Sequence, residues 1–148
     1  MSERAALPTS FGPAEVGLRF LTAAHQARGA VDRQMAAAGL TLSRIKLLQV
    51  LAGRGPLHQA ELAEALGQAP RSVTQTVEAL ERLHLVTRVV DPGDRRRKTV
   101  GLTEKGRSAL TAGEQAGRQA LERIFGALDT GQLADLAKLL VRVEAAST

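Results

Sequence analysis

A chain of 148 residues with 20 Lys and Arg against 15 Asp and Glu, for a formal charge of +5, is long enough for one packed domain, or for a small domain with an oligomerisation arm, and too short for two full domains. The charge surplus suits an anionic partner, though it equally serves solubility. Zero Cys excludes a disulfide framework, a Cys-ligated zinc or iron–sulfur centre and any thiol-based sensor.

Residues 1–12 read as a flexible lead-in. The segment from Met1 to Pro8 lacks the apolar core of a signal peptide, and no apolar run approaches the roughly 18 residues of a membrane span, so a cytoplasmic location without a membrane partner is expected. From Pro13, which a first helical turn tolerates, Val16, Phe20, Leu21, Val31 and Met35 recur at mostly helical spacing before Gly39; this predicts a first helix over 13–38. Thr41 can cap a second helix carrying Ile45, Leu47, Leu48 and Leu51, which the breakers Gly53, Gly55 and Pro56 end. A third starts around His58, presents Leu62, Ala63 and Leu66, and stops at Gly67. His58 is read as a cap of that helix or a phosphate contact. Pro70 opens a fourth, on which Val73, Val77 and Leu80 share one face, Arg71, Gln75, Glu78 and Arg82 the opposite one, and Thr74 the flank.

The β-branched run 86–90, with Arg88 outward, and a short mate at 99–102 predict a hairpin. Its tip would carry Asp91, Pro92, Gly93 and Asp94 with the adjacent cations Arg95, Arg96, Arg97 and Lys98. Thr103 and Glu104 start a helix expected to reach about residue 128 with Leu121, Ile124, Phe125 and Leu128 as its apolar stripe, and a last helix after Thr130 carries Leu133, Leu136, Leu140 and Val143.

Helix, turn, helix, strand, basic turn, strand is the order of a winged helix. The predicted fold is mainly α with a small β-hairpin wing, divided into an N-terminal tail and dimerisation helix (1–40), a winged helix-turn-helix DNA-binding lobe (41–102) and C-terminal dimerisation helices (103–148). The long terminal helices bear apolar stripes that the middle lobe is too small to cover. Burial is worth about 25 cal/mol per Å², and interlocking the ends of two chains recovers it most directly, which predicts a symmetric homodimer.

A basic hairpin beside a helix that can enter the major groove fits double-stranded DNA. Phe11, Phe20 and Phe125 all lie outside the basic region, which speaks against stacking of single-stranded bases. Arg71 can donate twice to guanine and Gln75 can pair with adenine. Both could instead be solvated residues of an exposed face, but the basic hairpin downstream favours the groove. Glu78 either accepts from a cytosine or pairs with Arg82 one turn on, and the pair is preferred. Four adjacent cations repel one another unless an anion neutralises them; a narrow minor groove offers that potential, with Arg96 the expected inserted side chain.

Leu62 to Gly67, Pro70 to Gln75, Leu80, Leu85 and Val86, and above all Asp91 to Arg96 running into Val100, Gly101, Leu102, Thr103, Glu104, Lys105 and Gly106, resemble the MarR family of bacterial transcription regulators over residues 14–143. The resemblance implies a dimeric winged helix that puts the fourth helix in the major groove and the wing in the adjacent minor groove, binding a pseudo-palindromic operator, most often as a repressor. It also implies release by a small phenolic or anionic effector held between the DNA lobe and the dimer helices. Asp94 and Arg96 match the family's wing-tip pair, in which the carboxylate orients the arginine, and Arg71, Ser72, Thr74 and Gln75 match the first turns of its recognition helix. The expected DNA-binding set is thus Arg71, Ser72, Thr74, Gln75, Arg88, Asp94, Arg95, Arg96, Arg97 and Lys98. His25, Arg28 and Arg44 fall around the implied effector cleft, where a cation and helix-terminal amides can hold an anion; otherwise they are surface or interface polar groups. The chain departs from the pattern at Ala69, in place of a Ser or Thr cap, and at His84, in place of a helix-ending Gly.

No Ser-His-Asp spacing, phosphate-cradling glycine loop or His-carboxylate cluster occurs, and the three His are scattered, so no catalytic residue, metal or cofactor is expected. Two other classes share the basic surface: a non-specific architectural protein, and a degenerate winged helix that binds proteins.

Overall fold

The structure, a computed structural model, describes residues 11–148; the expected lead-in, up to residue 10, lies outside the described residues. Pro13 pre-sets φ for a first turn, and helix α1 runs Pro13–Met35. The helix expected over 13–38 then tightens. Ala36–Ala38 form a 3-10 turn that ends at Gly39 with φ 72, its N–H donating to the Ala36 carbonyl at 2.9 Å. Helix α2, Leu42–Arg54, has two carriers for its first amides: Thr41 Oγ1 accepts from Arg44 N–H at 3.2 Å, and Asp32 of α1 accepts from Leu42 N–H at 2.7 Å. Helix α3, Gln59–Leu66, stops at Gly67 in the left-handed region, φ 61. Helix α4 is Pro70–Arg82. Thr103 caps helix α5, Glu104–Phe125, accepting from Gly106 N–H at 2.9 Å. Asp129 and Gln132 form a reciprocal capping box that starts helix α6, Thr130–Ala146. Helix α5 ends at Phe125, short of the residue 128 expected, and Leu128 N–H closes a turn onto the Phe125 carbonyl at 3.0 Å.

Three strands form an antiparallel sheet in the order β1-β3-β2: β1 Leu57–His58, β2 Val86–Asp91 and β3 Asp94–Leu102. A two-residue strand has no period to detect, so β1 was invisible to sequence patterning; its pairing with Val100 and Thr99 creates it. The mate expected at 99–102 begins at Asp94. Pro92 and Gly93 make the turn, and the register jumps beside it: Val90 pairs with Lys98 but Asp91 with Asp94, so Arg95, Arg96 and Arg97 bulge from β3 next to the tip, as expected, and Lys98 is the cation that pairs. Such a bulge interrupts the ladder locally and leaves its residues unpaired beside the turn.

Between the helices and the sheet the core is aliphatic. Leu48, Leu62, Val73, Val77, Leu80 and Val100 are completely buried, which bears out the apolar faces expected for α2, α3 and α4. Helix α5 differs from expectation. It buries Gly106, Leu110, Gly113, Gly117 and Ala120 and leaves Leu121, Ile124 and Phe125 substantially exposed. The cause is close approach: a Cβ on Gly113 would come within 2.6 Å of Ile45 and 2.8 Å of Leu40, so small residues sit where α1 and α2 press against the helix. Helix α6 has no buried residue at all. Among the described residues no single helix is long and apolar enough to cross a membrane.

His84 takes φ 61 in the turn between α4 and β2, the one non-Gly residue with positive φ among those described. A side chain in this region costs about 1–2 kcal/mol. We expect His84→Gly to stabilise the protein by about 0.5–1 kcal/mol, after the extra chain entropy of Gly is set against the relief of strain. Urea unfolding measures it, and an unchanged or lowered midpoint would mean that the His84 turn is unstrained.

Candidate nucleic-acid interface

The α3–α4 segment presents its polar side because the apolar side is used up. Val73, Val77 and Leu80 follow one another by helical steps into the core, which turns Arg71, Ser72, Gln75, Glu78 and Arg82 outward, all exposed. Ala69 gives no side-chain cap, and Pro70 at the first position opens the helix unaided. Thr74 stands apart from its neighbours. Its hydroxyl donates to the Pro70 carbonyl at 3.0 Å and accepts from Gln59 Nε2 at 3.1 Å, so it ties α4 to α3 instead of standing free toward a base.

In the wing, Asp91 accepts from Gly93 N–H at 2.8 Å and closes the turn. Asp94 Oδ1 accepts from the backbone N–H of Arg96 at 3.0 Å. The carboxylate therefore acts on the Arg96 main chain, and the side-chain pair that the resemblance implied is not formed. Arg95, Arg96, Arg97 and Lys98 are exposed, and among the described residues none of them is ion-paired. Such a cluster of unneutralised cations near the end of the hairpin has the charge to meet a polyanion.

Two expectations need correction. Arg88, read as outward, stands opposite the fully buried Val100 and so on the inner face of the hairpin. Its guanidinium reaches back to α4, 3.2 Å from Glu81 and 3.8 Å from Glu78. Charge suggested an outer position, but the period of two set by Val86 decides the face. The expected Glu78–Arg82 pair is accordingly replaced by Glu78–Arg88. His58 is the N-cap residue of α3, as expected: Glu61 accepts from its backbone N–H at 3.0 Å, while its ring Nδ1 lies 3.3 Å from Thr99 Oγ1 and its Nε2 4.0 Å from Asp91.

Away from this surface, His25 and Arg28 line one cleft of about 410 Å³ with Val31, Leu42, Leu121 and Phe125. Arg28 donates to Ser43 Oγ at 3.0 Å. Arg44 does not line it: its guanidinium donates to the Gly39 carbonyl at 2.7 Å and secures the α1–α2 turn. Nor is the start of α2 free to hold an anion, since Asp32 already accepts from Leu42 N–H. A second cleft of about 490 Å³ shares Val31, Leu42 and Leu121 and adds Gln49, Glu114, Arg118 and Glu122, with Gln49 donating to Glu114 at 3.1 Å. Sequence reasoning passed over these polar residues; the four-residue spacing of Glu114, Arg118 and Glu122 was the available signal. Among the described residues no group of His, Cys, Asp or Glu is arranged to hold a metal.

The model of the MarR family matches residues 38–97. Over 121 residues the chain is 36% identical to the HTH-type transcriptional repressor NicR of Pseudomonas putida, a match that covers 81% of this chain and 77% of that protein. This chain belongs to the MarR family. It is a transcription regulator built on a winged helix-turn-helix. A crystal structure of a MarR family transcriptional regulator from Streptomyces coelicolor superposes with a TM-score of 0.74 at 28% identity, over 93% of this chain and 96% of that one. BpsR of Bordetella bronchiseptica, whose DNA binding is described as regulated by 6-hydroxynicotinic acid, shares the fold with a TM-score of 0.72 at 22% identity, over 88% and 98% of the two chains. The two departures of this MarR-family regulator from the common pattern both fall at the ends of α4: the start lacks a side-chain cap at Ala69, and the exit puts His84 in the left-handed region.

Proposed function

We propose that the chain is a homodimeric repressor, acting in the cytoplasm, that binds a pseudo-palindromic operator through α4 in the major groove and the β2–β3 wing in the adjacent minor groove. The observation that carries this reading is the pairing of an exposed polar face on α4 with a strand of four exposed cations that have no carboxylate partner among the described residues. Arg71, Ser72 and Gln75 supply donors to the groove; Arg95, Arg96, Arg97 and Lys98 supply the charge; Asp94 holds the Arg96 backbone. Thr74 and Arg88 support these groups from behind.

Dimerisation is the second part of the proposal. A helix of 17 residues that buries nothing, as α6 does, is marginal in water without a partner. Val16, Leu18 and Leu21 on α1 and Leu139 and Val141 on α6 are all about half exposed or more. A second copy laying its own α1 and α6 over them accounts for both, so that residues 41–102 form the DNA-binding lobe and residues before 41 and after 102 the dimer scaffold. The effector is the third part. The joined clefts have an apolar floor, His25 and Arg28 at one end, and Gln49 and Glu114 at the other, which suits a small aromatic or phenolic acid whose carboxylate meets Arg28. The regulation described for BpsR is of this kind.

The test is selection of bound sequences from random duplex DNA, followed by a screen for aromatic acids that release the enriched site. Two half-sites about 10 base pairs apart are expected; broad protection without half-sites would mark an architectural protein. In the same assay Arg96→Ala is expected to weaken operator binding by about tenfold while the dimer stays intact by light scattering. Unchanged affinity at moderate salt would remove the wing from the proposal.

A further inference from the structure

Arg88 is the one charged side chain on the inner face of the β2 half of the hairpin, and it is not there to meet DNA. Its Nη2 lies 3.2 Å from Glu81 Oε1 and its Nη1 3.8 Å from Glu78 Oε1, with only 17% of its side chain exposed against 48% for Glu78 and 39% for Glu81. One guanidinium thus hydrogen-bonds Glu81 and, through its other Nη, lies within ion-pair distance of Glu78, so two carboxylates of α4 share one cation. Glu78 follows Gln75 by three positions and Arg71 by seven, on the same exposed helix face. Left free, its carboxylate would stand among phosphates, or would seek a cytosine amino group.

We infer that Arg88 is a positioning residue for base selection, holding Glu78 back so that α4 reads bases through Arg71 and Gln75 and not through an acid. This rests on α4 being the groove helix. The same bridge ties the wing's first strand to that helix, so the two DNA-facing elements are held together by the residue that silences the carboxylate.

The test measures dissociation constants of the full-length protein for the selected operator and for a random duplex by fluorescence anisotropy. Four proteins are compared: wild type, Arg88→Met, Glu78→Gln and the double variant. Arg88→Met is expected to bind the operator about tenfold more weakly, and to gain preference for cytosine near the Glu78 position. Adding Glu78→Gln to it is expected to restore affinity to within about threefold of wild type. A loss that Glu78→Gln does not rescue, or no loss, overturns the inference. If circular dichroism finds Arg88→Met unfolded, the Glu78→Gln single variant decides: binding within about twofold of wild type supports the inference, and a loss of about tenfold means that Glu78 reads a base and overturns it. A wild-type protein that binds no duplex at low salt would instead refute the underlying DNA-reading assignment.

Discussion

Gly106→Ala is expected to destabilise the protein by about 3 kcal/mol, near the upper end of what one added methyl group costs. A Cβ at this position would overlap the Leu85 carbonyl oxygen and come within 2.8 Å of Leu102 Cδ1. That carbonyl cannot swing aside, since it accepts from Thr103 N–H at 3.1 Å at the point where the wing passes into α5. Gly106 itself donates to the Thr103 cap at 2.9 Å, so moving its backbone also loosens the start of the helix. Gly117→Ala provides the contrast. Its nearest obstacle is the terminal methyl of Met35, the far end of a flexible side chain, and a loss of about 1 kcal/mol is expected as that thioether rearranges. Urea unfolding of both variants checks the order. A cost at 117 equal to or larger than that at 106 would show that side-chain crowding, and not backbone contact, limits the approach of α5.

Gln75→Ala is expected to weaken operator binding by about 1–3 kcal/mol, the value of one good contact to a base edge, while affinity for random duplex stays as it was. Arg71→Ala should lose as much on the operator and a smaller amount on random DNA, since it removes a charge as well as two donors. Both side chains are exposed and neither is ion-paired among the described residues, so their removal leaves the free protein almost undisturbed and the losses can be read as binding. Selection of bound sequences with each variant would locate the base position that relaxes. Equal losses on operator and random duplex would mean that α4 contributes only general affinity and does not read sequence.

The helices of the central lobe were legible because their apolar residues recur at helical spacing: Val73, Val77 and Leu80 predicted a buried face, and all three are completely buried. The turn at Gly67, the cap at Thr41 and the strain at His84 were legible for the same reason, each being a local demand of the backbone on a side chain. The candidate DNA surface was legible as a composition, four cations next to a polar helix face, but not as a geometry. Spacing and charge placed the arginines near the tip, but not the bulge that carries them, in which Val90 pairs with Lys98 and Asp91 with Asp94.

By itself, then, the chain determined which segments become helices, where most of them stop, and which residues are available to meet a polyanion, because these follow from propensity, spacing and charge within a few residues. Tertiary structure decided the rest. Pairing with Val100 turned Arg88 inward onto Glu78 and Glu81, close approach of α1 and α2 chose glycines over leucines as the buried stripe of α5, and Arg44 was drawn to the Gly39 carbonyl and away from the cleft of His25 and Arg28. Each of these depends on which residue from a distant part of the chain arrives opposite, and on the space left between two backbones, and neither quantity is encoded in any local stretch of sequence.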